Sequence, residues 1–106
     1  MEVRRKNAKW SYKDHGFVCD VKDAEKNHPL IYFSWMNMTR RTANPEYQAK
    51  NPAYKDTWAC EEWKFFSNFL EWALVNGHRE GLCLDKDIVV IGNKRYSPDT
   101  CVFVST

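Results

Sequence analysis

Between Cys60 and Asn76 the chain sets large aromatic residues at helical spacing, and no other stretch limits its fold as strongly. Trp63, Phe66, Phe69, Leu70, Trp72 and Ala73 recur at steps of three and four. At about 100° per residue they cover roughly half the circumference of a helix. Phe65 falls inside the same broad face, while Lys64, Ser67, Asn68 and Glu71 take the opposite one. Glu61 and Glu62 open the segment, where the helix dipole favours negative charge. Asn76-Gly77 closes it, since glycine tolerates the left-handed backbone of a helix end. The spacing predicts a helix over 61–76, buried on one broad face, whose aromatics are core and not a stacking platform.

Upstream, Pro29 suits a first helical position, and 30–42 reads as a second principal helix. Ile31, Trp35 and Met38 form its apolar stripe, widened by Tyr32 and Met36. Arg40 and Arg41 stand in its last turn, where cations suit the dipole and two guanidinium forks also suit phosphates. Trp10-Ser11-Tyr12 and residues 16–21 read as a short strand, and 23–28 as a polar loop. Residues 42–56 hold two Asn-Pro pairs, which break helix on their N-terminal sides, and read as an ordered loop pinned by Tyr47 and Tyr54. Thr57-Trp58-Ala59 reads as a brief strand. Downstream, Ile88-Val89-Val90-Ile91 is a β-branched run and Gly92-Asn93 a turn, with Lys94-Arg95-Tyr96 returning as partner strand. Ser97-Pro98-Asp99 is a second turn, and Val102-Phe103-Val104 a last short strand. The fold class expected is α+β, with two principal helices and a small, mainly antiparallel β component that includes a hairpin near the C-terminus.

A chain of 106 residues is expected to form one domain. Five Trp, five Tyr and six Phe supply a substantial core. No apolar run approaches a membrane span and the N-terminus lacks a signal-peptide core, so neither a membrane nor export is expected. Cys19, Cys60, Cys83 and Cys101 contain no CxxC pair and read as reduced, mostly core thiols. His15, His28 and His78 are scattered, and no metal constellation stands out. The net charge of +2 is unevenly placed: residues 1–41 carry nine Lys or Arg against five Asp or Glu, and 42–106 carry seven against nine. Arg4, Arg5, Lys6 and Lys9 form a basic arm that reads either as a solvated terminus or as a reach along a phosphate backbone.

Four words carry a family resemblance. They are Trp35-x-x-Met38-x-x-Arg41, Cys60-x-Glu62-Trp63-x-x-Phe66-x-x-Phe69-x-x-Trp72, Leu84-Asp85-Lys86-Asp87-Ile88, and Gly92-Asn93-Lys94-x-Tyr96-Ser97-Pro98-x-Thr100-Cys101-x-Phe103-Val104. Over about its last two thirds the chain resembles the phage homing-endonuclease-like family, HNH- or AP2-associated. It also resembles the N-terminal DNA-binding domains of related phage nucleases and phage-satellite replication initiators. The resemblance implies a double-stranded-DNA-binding domain with sequence preference, in the cytoplasm of a bacterial host. Such a domain targets a larger phage or satellite protein to a site such as a replication origin. It further implies that the chain is the N-terminal part of a longer protein.

An HNH nuclease needs a general-base histidine and a metal that stabilises the leaving oxygen. In the family pattern that histidine lies near the Leu-Asp-x-x-Ile word, where this chain has Lys86. A lysine serves as a neutral base only when desolvated. Asp85, Asp87 and Asn93 suit a weak Mg²⁺ site but read more simply as surface polar residues. No catalytic residue, metal, cofactor or small-molecule substrate is therefore assigned, and a metal-dependent nuclease stands as the alternative. A phage protein-interaction module is a second alternative. The DNA footprint expected is Arg4, Arg5, Lys6, Lys9, Arg40, Arg41, Lys64, Lys86, Lys94 and Arg95. Within it Lys86, Lys94 and Arg95 share one β surface that enters the major groove. A homodimer reading an inverted repeat is compatible with a unit this small.

Overall fold

Pro29 begins the longer of two helices that meet through aromatic rings. In the computed structural model, which describes residues 10–76, 82–86 and 93–105, the order is a 3-10 turn Tyr12–His15, then helices α1 Ala24–Asn27, α2 Pro29–Ala43 and α3 Pro45–Lys50. A 3-10 turn Pro52–Tyr54, strand β1 Trp58–Ala59 and a 3-10 turn Glu61–Lys64 follow. Helix α4 Phe66–Val75 then leads to β2 Leu82–Asp85, β3 Arg95–Tyr96 and β4 Val102–Ser105. The fold is α+β, as expected. No helix among the described residues is long and apolar enough to cross a membrane.

Helix α2 follows its stripe: Ile31, Trp35 and Met38 are buried, and Tyr32 and Met36 pack against the core from its margin. Trp35 is its hub. Its ring meets Tyr12, Phe17 and Phe66 edge-on at 5.0, 6.0 and 5.4 Å, and its Nε1 donates to the Trp63 carbonyl at 2.8 Å. Edge-to-face contacts suit the ring quadrupoles, and the hydrogen bond satisfies the indole N–H inside the core. A second ring cluster continues from α4 to β4. Trp63 lies 4.9 Å from Phe69 and 4.8 Å from Trp72, and Trp72 lies 5.2 Å from Phe103.

The expected continuous helix over 61–76 is instead broken at Phe65. A 3-10 turn precedes the break and α4 begins after it, with Phe65 extended at φ −102° and ψ 123°. Residues 18–20 take over the backbone partners that a helix would have used. Val18 N donates to Lys64 O at 2.7 Å, Phe66 N to Val18 O at 3.0 Å, and Ser67 N to the Asp20 carboxylate at 2.8 Å. Trp63, Phe66, Phe69 and Ala73 stay buried, but Phe65 is turned out and is 44% exposed. The short strand expected near residues 16–21 is reduced to the single Val18–Phe65 bridge, and Tyr12 belongs to a 3-10 turn.

Asp20 thus caps α4 from a distant part of the chain. Burial opposes its charge, and the Ser67 hydroxyl and N–H outweigh burial, so its carboxyl is held below the ordinary range. Asp20→Ala is expected to cost about 1 kcal/mol, the usual worth of an N-cap side chain. A carboxylate with a depressed folded-state pKa stabilises above its unfolded value and loses that contribution as the pH falls below about 4. Urea midpoints of both proteins at neutral and acid pH check this: the difference between them should shrink in acid.

Two further segments differ from expectation. Residues 23–28 contain the one-turn α1, with Ala24 buried. The 42–56 segment contains α3 and a 3-10 turn, because each Asn-Pro pair starts a helical turn at its proline. The Asn44 side chain accepts from the N–H groups of Glu46 and Tyr47 at 3.0 and 3.3 Å, which is an N-cap. Tyr47 and Tyr54 do pack together, at 5.8 Å.

The β component is two short pairs. β2 and β4 are antiparallel, with Leu84 opposite Phe103. β1 and β3 are parallel, with Trp58 opposite Arg95 and Ala59 opposite Tyr96. The partner found for Arg95–Tyr96 is therefore β1, while the run Ile88-Val89-Val90-Ile91 and its turn glycine lie outside the described residues. The turn at Ser97-Pro98-Asp99 is present, tied by Ser97 Oγ to Asp99 at 2.8 Å and to Thr100 Oγ1 at 2.7 Å. All four cysteines are free thiols. Cys101 is buried and its thiol is pushed up to about 11 by that burial, Cys19 and Cys60 are half-buried, and Cys83 is exposed.

Candidate nucleic-acid interface

The parallel pairing of β1 with β3 sets Arg95, a cation of the expected footprint, against an exposed tryptophan. Trp58 N donates to Lys94 O and Cys60 N to Tyr96 O, both at 2.9 Å. Side chains alternate along a strand, so burying Ala59 turns Trp58 outward, where it is 51% exposed. Directly across the pair, the Arg95 guanidinium lies 6.0 Å from the indole centroid. Asp99 holds that guanidinium at 2.9 Å, in an ion pair open to solvent. The Ser97 hydroxyl, first, keeps the Asp99 carboxyl below its ordinary range, so Asp99 stays charged beside Arg95. Lys94 is exposed and its Nζ lies 3.5 Å from the Ala53 carbonyl.

An open cleft of about 400 Å³ adjoins Trp58, lined also by His15, Thr42, Glu61 and Lys64. Gly16, at φ +82°, makes the turn that carries the chain past this rim. A Cβ built there would lie 4.0 Å from Lys64 Nζ. Lys64 pairs with Glu61 at 3.3 Å, and the Glu61 side chain is almost fully exposed. Exposed pairs of this kind are worth about 0–1 kcal/mol, so Lys64 can exchange its partner at little cost.

The other described footprint residues, Lys86, Arg41 and Arg40, stand elsewhere. Lys86 was expected beside Lys94 and Arg95 on one β surface. It is buried, 6% exposed, with Nζ 5.9 Å from the Tyr96 ring centroid, so its ammonium faces an aromatic ring and not open solvent. Asn93 ties the two strands' ends: its amide donates to the Lys86 and Arg95 carbonyls and its oxygen accepts from Arg95 N. That oxygen, expected to suit Mg²⁺, is already engaged by a backbone N–H. Arg41 is half-buried over the Tyr54 ring at 5.1 Å. Burial opposes its charge, and the phenols of Tyr96 and Tyr54 outweigh it, so the guanidinium stays charged inside a tyrosine cluster. Arg40 donates to Asn37 at 2.6 Å. Arg4, Arg5, Lys6 and Lys9 lie outside the described residues, as do Asp87 and His78.

Of the ten footprint cations, then, Lys64 and Arg95 have side chains beside Trp58, Lys94 meets Trp58 only through its backbone and carries its ammonium to the Ala53 carbonyl, and Lys86 and Arg41 serve packing. The sequence reading missed Trp58, His15 and Thr42. Only strand alternation about Ala59 could have turned Trp58 outward in advance. Among the described residues no group of three His, Cys, Asp or Glu side chains is placed to share a metal ion. Comparison of the chain with protein-family models, curated proteins and solved structures finds no match.

Proposed function

We propose that the chain binds double-stranded DNA with sequence preference and brings a larger phage or satellite protein to its site. The observation that carries this reading is the β1–β3 ridge, on which the Arg95 guanidinium stands beside the outward Trp58 and the exposed Lys94 precedes it in the chain. A guanidinium beside an aromatic face on a hydrogen-bonded strand pair is fixed in register, so it can meet base edges as well as phosphates. Lys64 at the cleft rim and the basic arm at residues 4–9 add phosphate contacts. The chain then supplies recognition without cleavage. Incubated with plasmid and Mg²⁺ or Mn²⁺ it should leave the plasmid uncut. Cleavage that disappears in Asp85→Ala would replace this reading with the nuclease one.

One observation favours a second reading, a protein-binding module. Leu30 and Phe33 are exposed on α2, Phe33 by 61%, between two clefts that share them. Phe33→Ser is expected to leave duplex affinity within about twofold, as surface changes away from an interface do. If it abolishes capture of a protein partner while Arg95→Ala does not, α2 carries the function.

A further inference from the structure

We propose that the cleft beside Trp58 accepts a single unstacked nucleobase, so that the chain favours DNA carrying an unpaired base over continuous duplex. This rests on the DNA reading above and names what one part of that surface recognises. Three observations converge on it. Trp58 is a large apolar ring left half in solvent on the outward face of its strand, and it lines the cleft. Base–aromatic stacking is the common use of such a ring on nucleic-acid proteins, because every base has a π-face. The cleft of about 400 Å³ lies near the lower end of small-molecule sites, about 300–1,000 Å³, room for a base and not for a duplex.

The polar groups around the ring fit a nucleotide. Lys64 and His15 line the same cleft and can take its phosphate. The Glu61 carboxylate, loosely paired to Lys64, accepts hydrogen bonds from the amino or imino edge of a base. Arg95, already beside the indole, can follow the adjoining backbone. A protein surface would use the same tryptophan, but it would not need a cation and a carboxylate at the rim of a cleft of one-base size.

Three labelled DNAs test this by fluorescence anisotropy at one salt concentration: a duplex, the same duplex with one unpaired adenine, and one strand alone. The unpaired base should tighten binding by roughly 5- to 100-fold, the span of one base–aromatic stack. Trp58→Ala should bring the bulged and continuous duplexes to equal affinity, and Trp58→Phe should keep most of the preference. With 2-aminopurine as the unpaired base, its fluorescence should fall on binding the wild type and not Trp58→Ala. Equal affinity of the wild type for both duplexes, or an equal loss on both in Trp58→Ala, overturns the inference and leaves duplex binding standing. Failure to bind any of the three DNAs overturns the DNA reading itself and this inference with it.

Discussion

Trp35→Ala should cost the fold about 4–6 kcal/mol, the cavity left by a buried aromatic plus one orphaned carbonyl. Trp35 has no exposed surface, and its ring joins α2 to the N-terminal turn through Tyr12 and to α4 through Phe66. Its Nε1 is also the donor to Trp63 O, within the 3-10 turn that precedes α4. Truncation therefore opens a cavity and strands an acceptor at the joint between two helices. Small domains hold about 5–15 kcal/mol in total, so the variant should sit near the edge of folding. Trp35→Phe retains a ring and loses only the hydrogen bond and part of the volume, for about 2 kcal/mol. Trp63→Ala should cost about 3–5 kcal/mol, and Trp72→Ala less, because Trp72 is only half-buried. Urea midpoints rank the four variants. An unchanged midpoint for Trp35→Ala would contradict this packing.

Arg95→Ala should weaken binding to a preferred duplex by about 1–3 kcal/mol and reduce preference over random duplex. The guanidinium is fixed by the β1–β3 register, by Asp99 and by the Trp58 ring, so under the proposed reading it would meet DNA from a defined position. Arg4→Ala or Arg5→Ala should instead weaken both duplexes about equally and lower the salt slope by roughly one unit each. Lys86→Met should barely change affinity, since its ammonium is inside the fold. A competitive selection from random duplexes, repeated with each variant, separates these outcomes.

Helix α2 could be read from its residues because every signal in it is local: proline at the start, apolar residues at steps of three and four, arginines in the last turn. The same periodicity named Trp63, Phe66, Phe69 and Ala73 as core, yet it could not see the break at Phe65. That break is made by hydrogen bonds from residues 18–20, more than forty positions away. β3 was legible as a strand but not its partner. Parallel pairing across 37 positions leaves no turn between the two strands, so no hairpin pattern marks it. The candidate site suffered most from this. Lys94 and Arg95 lie within nine positions of Lys86 in the chain, but Lys86, just past the end of β2, is buried, while pairing sets Arg95 against Trp58. Charge counts alone cannot separate a buried lysine from an exposed one.

The most direct measurement is duplex affinity of the whole chain as a function of salt, for the wild type and for a variant with Lys64, Lys94 and Arg95 all changed to Ala. Binding through phosphates releases about 0.9 counterion per contact, so the logarithm of the wild-type constant should fall linearly with the logarithm of salt. The variant's slope should be shallower by roughly two to three units, one for each phosphate contact removed. Affinity that ignores salt, or a triple variant that binds as the wild type does, would contradict the assignment of this ridge to DNA.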